Sequence, residues 1–218
     1  MDTNARVLIT NQQVENINKR LEKWMNARRI TQKHQYSILS ELLQEELDEL
    51  IEGGKNNNIT EIIDAITDLV VVFANGTGGI KIFGEDMLYE DFDVDYENIK
   101  DIVSYCAEDT KYILNNYKKE GVDISYYPYF MFEALMDLGY EPYLCMDETL
   151  KHIESRRQNP EQEKEWLELQ EKINNYVLEN GYNSVEIEKM KEGFGKWNKM
   201  KNQKDVYVPD FNKCKVIR

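Results

Sequence analysis

The stretch that decides the fold is Glu45 to Asp68, EELDELIEGGKNNNITEIIDAITD. Carboxylates stand at 45, 46, 48, 49 and 52, and the run breaks at Gly53-Gly54 and the asparagines Asn56 to Asn58. It resumes with Glu61, Asp64 and Asp68 on a segment otherwise built from Ile62, Ile63, Ile66, Leu69 and Val70. An α-helical residue advances about 100°, so positions three, four and seven apart share a face. Glu46 and Glu49 share a face by that rule, as do Glu45 and Glu49, while Glu61, Asp64 and Asp68 span about 60° of arc. Two helices joined by a short turn pack antiparallel, so the two acidic ridges can face each other. Like charges brought that close repel, and a divalent cation relieves the repulsion. Oxygen-only ligands, with no His or Cys among them, select hard Mg²⁺ or Mn²⁺ over zinc. The competing reading is a solvated hairpin, and Glu41, Asp48 and Glu52 fit it. Asp64 and Asp68 fit it less well because they interrupt an apolar face, and no Lys or Arg lies between Glu41 and Glu52.

Outward from this stretch, apolar residues recur at helical spacing. Val14, Ile17, Leu21 and Trp24 predict a helix that starts near Thr10-Asn11. Tyr36, Leu39, Leu43, Leu47 and Leu50 predict a second, from about Thr31 to Glu52, ended by Gly53-Gly54 with Lys55 to Asn58 as the turn. A third runs from about Ile59 to Ala74 and stops at Asn75-Gly76. The run Leu69 to Ala74 (LVVVFA) has strand composition, but the 3.6-residue period that begins at Ile59 continues through it. That makes it the central buried helix of a bundle. Further helices are expected near 97–119, 130–138, 146–158 and 160–180, with a short one capped by Ser184. The fold class is all-α: a helical bundle with a central antiparallel carboxylate-bearing helix pair and extra helices. A single domain spans 1–218, with its core in about 11–80 and 138–215 and an acidic elaboration at about 84–130.

A chain of 218 residues buries roughly 70% of its unfolded surface and needs no covalent staples. Three widely spaced cysteines, Cys106, Cys145 and Cys214, form neither a disulfide framework nor a zinc motif and suit a reducing compartment. The opening residues have no basic stretch followed by a long apolar one, and no run of about 18 apolar residues occurs. The expectation is a cytoplasmic protein with no membrane partner. Its formal charge of −14 repels phosphate backbones, so no nucleic-acid partner is expected. The charge is uneven: Glu85 to Asp109 carries ten acidic residues and one lysine, whereas Lys189 to Arg218 carries nine basic residues and three acidic ones. An acidic site with a basic tail suits a ligand bearing both metal and phosphate.

At the acidic helices the sequence resembles the all-α nucleoside triphosphate pyrophosphohydrolases, a group that includes MazG-like enzymes and dimeric dUTPases. Their signature is E-E-x-x-E followed by E-x-x-D on the next helix. Glu45-Glu46-Leu47-Asp48-Glu49 matches the first part. Glu61-Ile-Ile-Asp64 matches the second literally, whereas Asp64-Ala-Ile-Thr-Asp68 is similar to the D-A-I-G-D pattern of phage-type MazG-like members. The resemblance implies Glu46, Glu49, Asp64 and Asp68 as metal ligands, with either Glu61 or Asp68 completing the set beside Asp64. Glu45, Glu46 and Glu61 are the candidates for catalytic work on a water.

The resemblance extends more loosely to both ends. Trp24 to Arg28 resembles the segment that leads into the first acidic helix, and Leu138-Gly-Tyr140-Glu-Pro142 before Asp147-Glu148-Thr149 resembles a later helix. Lys196-Trp-Asn-Lys199, then Tyr207-Val-Pro-Asp210-Phe-Asn-Lys213, resembles the K-W-x-K…Y-x-x-D ending. It implies substrate contacts from Trp24, Arg28, Lys196, Lys199, Tyr207, Asp210 and Lys213, although the place of Trp24 on the apolar face favours a core role for it. The implied reaction is Mg²⁺-dependent cleavage of a (d)NTP between the α and β phosphates by a homodimer or homotetramer. A different class also fits the charge, a non-enzymatic acidic interaction protein or nucleic-acid charge mimic. Asp91-Phe-Asp93-Val-Asp95 opens like a calcium loop but has tyrosine at position six and isoleucine at position twelve. His34 and His152 lack the Glu-x-x-His spacing of a di-iron site and are expected on the surface.

Overall fold

In the computed structural model, which describes residues 6–89, 98–156, 160–191 and 206–216, the first helix begins where Thr10 predicts. The Thr10 hydroxyl accepts from the Gln13 amide (3.2 Å) while the Gln13 side chain accepts from the Thr10 amide (2.8 Å), a reciprocal cap. This helix, α1 (Asn11–Ala27), buries Val14, Ile17 and Leu21. The segment expected as one helix from Thr31 divides into α2 (Gln32–Ser37) and α3 (Leu39–Asn56), with a break at Ile38.

Gly53-Gly54 does not end α3. The helix runs on to Asn56, and Asn57 takes the left-handed conformation (φ 51°) that stops it. The two glycines act through their missing side chains. A Cβ on Gly53 would lie 3.2 Å from the Glu61 Cβ and the Ile62 amide, and one on Gly54 only 2.8 Å from a Val103 methyl. Asn58 caps the next helix, its side-chain oxygen accepting from the Glu61 amide (3.4 Å). That helix, α4 (Ile59–Thr77), carries the LVVVFA run as helix throughout. Apolar on nearly every side, it is buried and touches α1, α2, α3 and two later helices, α6 (Tyr127–Asp137) and α7 (Pro142–Ser155).

The acidic region 84–130 supplies more than surface. Its α5 (Ile99–Asn116) packs on α3, and α6 packs on α4. Ile102, Val103, Cys106, Tyr127, Met131 and Leu135 join the same core as α1, α3 and α4. A small two-stranded ribbon, absent from the sequence reading, pairs β1 (Arg6–Ile9) antiparallel with β2 (Met87–Tyr89). It forms by burying Leu8 and Ile9 against the bundle.

The last two helices, α8 (Pro160–Asn180) and α9 (Ser184–Lys191), make a second apolar cluster of their own from Leu169, Ile173, Val177 and Ile187. Asn183 caps α9, its side chain accepting from the Glu186 amide, so Ser184 is the first helical residue rather than the cap. Polar contacts tie α8 to the bundle: Asn174 donates to the Arg29 carbonyl (2.5 Å), Arg29 pairs with Glu171 (2.6 Å) and Gln170 meets the His34 ring (2.8 Å). His34 is therefore 5% exposed, against the surface position expected, and burial lowers its pKa to about 4. Its partners come from a helix more than a hundred residues away, beyond the reach of local pattern. Among the described residues no helix is long and apolar enough to cross a membrane.

Candidate functional site

The two carboxylate ridges stand on α3 and α4, joined only by Asn57 and Asn58. The close approach of Gly53 to Ile62 sets their relative height. Both helices rise equally per residue, so counting back from Gly53 and on from Ile62 pairs the levels. Four steps bring Glu49 level with Ile66, between Asp64 and Asp68, and seven bring Glu46 level with Leu69, next to Asp68. Glu46, Asp64 and Asp68 are half-buried along the margin of the apolar seam, while Glu45, Glu49 and Glu61 are exposed. Glu41, Asp48 and Glu52 are also exposed, as the solvated-face reading expects. Among the described residues, no three His, Cys, Asp or Glu side chains gather closely enough to hold a metal ion. Asp and Glu oxygens are donors of the kind a hard cation takes, and the helix levels match.

A second group forms around α7. The segment 206–216, ending in a 3₁₀ turn (Phe211–Cys214), crosses α7 as a strap. The Glu148 side chain, 6% exposed, is its anchor: it accepts from the Tyr207 hydroxyl, from the Asp210 amide (2.9 Å) and from the Lys151 ammonium (3.0 Å). Burial would raise the Glu148 carboxyl pKa, but these three donors outweigh it and hold the group below the usual carboxylate range. The bond to Glu148 pushes the Tyr207 phenol up in turn. Tyr207 is held again at its backbone, whose amide donates to Ser155 (2.9 Å) and whose carbonyl meets the His152 ring (2.5 Å). The Asp210 carboxylate pairs with Lys213 (3.3 Å).

Arg20 binds α1 to the same helix, with one guanidinium nitrogen on Asp147 (2.6 Å) and two on Glu154 (2.8 Å each). The Trp24 indole donates to the Ile153 carbonyl (3.2 Å), and the Arg28 guanidinium lies 4.7 Å from the Trp24 ring centroid while donating to the Arg156 carbonyl (2.7 Å). Trp24, Arg28, Tyr207, Asp210 and Lys213 thus collect around α7. Lys196 and Lys199 lie outside the described residues, as does the segment Asp91 to Asp95.

The two groups meet at one buried contact. The hydroxyls of Thr67 on α4 and Thr149 on α7 lie 2.7 Å apart. Asp68 follows one threonine in sequence and Glu148 precedes the other. Glu148 carries the strap and Arg20 carries α1; Glu148 falls within the Asp147-Glu148-Thr149 resemblance with no role implied for it, and no motif marks Arg20. The available signal for Glu148 was a carboxylate at the margin of the apolar stripe Cys145, Met146, Thr149, Leu150 and Ile153. Comparison of the chain with models of protein families, with curated proteins and with solved structures found no match.

Proposed function

We propose that the chain is a Mg²⁺-dependent nucleoside triphosphate pyrophosphohydrolase, a MazG-like enzyme that releases a nucleoside monophosphate and pyrophosphate. The observation that carries this reading is the level match of Glu46 and Glu49 with Asp64 and Asp68 across an antiparallel helix pair. A bland hairpin has no need of three half-buried carboxylates along its seam. Side chains of this length change their aim by rotation about their own bonds. Bound Mg²⁺, or Mn²⁺, supplies charge neutralisation at the phosphates and a more acidic water. Glu46, Glu49, Asp64 and Asp68 would hold it, with Glu61 the alternative to Asp68.

The chain's own groups divide the remaining work. Glu45 or Glu61, exposed at the ends of the ridges, accepts the proton of the attacking water. Lys213, Lys196 and Lys199 offset charge on the phosphates as point charges. Tyr207, Asp210, Trp24 and Arg28 stand around α7, where a nucleoside can be gripped. A homodimer or homotetramer completes the site in this reading.

The test is pyrophosphate release from a panel of ordinary and damaged nucleotides with Mg²⁺. Glu49→Ala and Asp68→Ala should each abolish it while keeping the melting temperature. Full activity in either variant removes that position from the metal set. A second reading is favoured by the exposed row Glu41, Glu45, Asp48 and Glu52 on α3: an acidic interaction protein that mimics nucleic-acid charge. The melting temperature with Mg²⁺ and each dNTP separates the two, since a charge mimic shows no nucleotide selectivity.

A further inference from the structure

Two of the three cysteines meet beneath the strap. Cys145, on the first turns of α7, is 0% exposed and Cys214, at the end of the 3₁₀ turn, is 1% exposed, and their thiols share a hydrogen bond. The backbone brackets that contact. The Glu141 amide donates to the Cys214 carbonyl (2.7 Å), and the Cys145 amide donates to the Glu141 carbonyl (3.1 Å). The Val216 amide donates to the Gly139 carbonyl (2.9 Å), and Tyr140 bridges Lys215. The strap packs on α7 and on the residues just before it, and its Phe211 and Cys214 belong to the main core, so an oxidant reaches the two thiols when the strap opens locally. Cys106 is buried in α5 as a residue of that core.

We propose that Cys145 and Cys214 form a reversible disulfide that staples the strap to α7 when a low-molecular-weight disulfide is the oxidant. The Cys214 thiolate attacks one sulfur of the small disulfide, a protein–small-molecule S–S bond forms, and one small thiolate leaves. Cys145 then attacks the Cys214 sulfur, the protein disulfide forms, and the second small thiolate leaves. Two protein thiols are oxidised, one small disulfide is reduced to two thiols, and the two protein protons end on those thiols. Cys214 meets the oxidant first because it stands on the strap itself. Donation from Cys145 holds the Cys214 thiol below its usual range, while that bond and burial hold Cys145 well above it. The staple closes the chain from α7 through α8 and α9 to the strap. It fixes Tyr207 and Asp210 against Glu148 whatever ligand they serve.

The full-length protein is incubated with oxidised glutathione, then denatured with an alkylating agent, and its peptides are mapped. The expected result is a Cys145–Cys214 linked peptide, alkylated Cys106, and a melting temperature raised by roughly 10 °C and restored by a reducing thiol. Cys145→Ala should stop at a glutathione adduct on Cys214. Alkylation of both cysteines in the wild type, an adduct on Cys214 with no linked peptide, or equal pairing through Cys106 overturns the proposal. The wild-type map alone decides this, even where a variant fails to fold.

Discussion

The hydroxyls of Thr67 and Thr149, 2.7 Å apart, are a buried polar contact in the seam between α4 and α7. Thr67 also bonds back to the carbonyls of Ile63 (3.0 Å) and Asp64 (2.9 Å), which occupies its proton and leaves Thr149 as the donor between them. Thr67→Val strands that donor and should cost about 1–3 kcal/mol, whereas the double change to valine should cost less than the sum of the two single ones. Urea denaturation of the three variants measures the coupling. Strict additivity contradicts the pairing.

Gly54 is needed for space rather than for a turn. Gly54→Ala gains about 1 kcal/mol of helix propensity but drives a methyl to 2.8 Å from Val103, and it should lose a net 1–3 kcal/mol, about what overpacking costs. Val103→Ala in the same chain should recover part of that loss. Thermal melts check both, and a stabilised single variant contradicts the contact with α5.

His34 makes folding stability depend on pH on the acid side of neutrality. Its folded pKa is about 4 against 6.5 unfolded, so the unfolded chain binds more protons between those values. Stability is then complete above pH 6.5 and falls as pH drops toward 4, by at most roughly 3 kcal/mol. Lys191 is the charged group that bears on the ring, and Gln170 and Asn174 face it without titrating. His34→Gln should flatten the profile across this interval in denaturant titrations at stepped pH.

Glu148 should control the strap. Its folded carboxyl lies below its unfolded value, so its contribution is present above about 4.5 and is lost as pH falls through the lower folded value. Glu148→Gln removes that acid dependence and weakens the bonds to Tyr207 and Lys151. Limited proteolysis within 206–216 should become faster while α3 and α4 stay resistant. Unchanged strap cleavage would show that the apolar contacts of Phe211 and Cys214 suffice.

On the proposed function, Mg²⁺ with the correct nucleotide should raise the melting temperature, by an amount equivalent to about 2.7 kcal/mol at a hundredfold excess over its Kd. Asp64→Ala should abolish the shift. Differential scanning fluorimetry reads this without any assumption about turnover.

What the sequence determined by itself is the helical architecture and the seam. Repeating Leu and Ile at helical spacing specified α1, α4 and the body of α3, though not the break at Ile38, and Thr10 caps α1 and Asn58 caps α4, because periodicity and capping act within a few residues. The same spacing put Glu46, Asp64 and Asp68 at the edge of the buried stripe. Only the tertiary structure decided what Gly53-Gly54 does, since the neighbours that need the space are Ile62 and Val103 on other helices. It also decided that His34 is buried, that Glu148 anchors Tyr207, and that Cys145 meets Cys214. Most of these partners lie tens to more than a hundred residues apart in the chain, and burial and close contact between them exist only after the helices have packed.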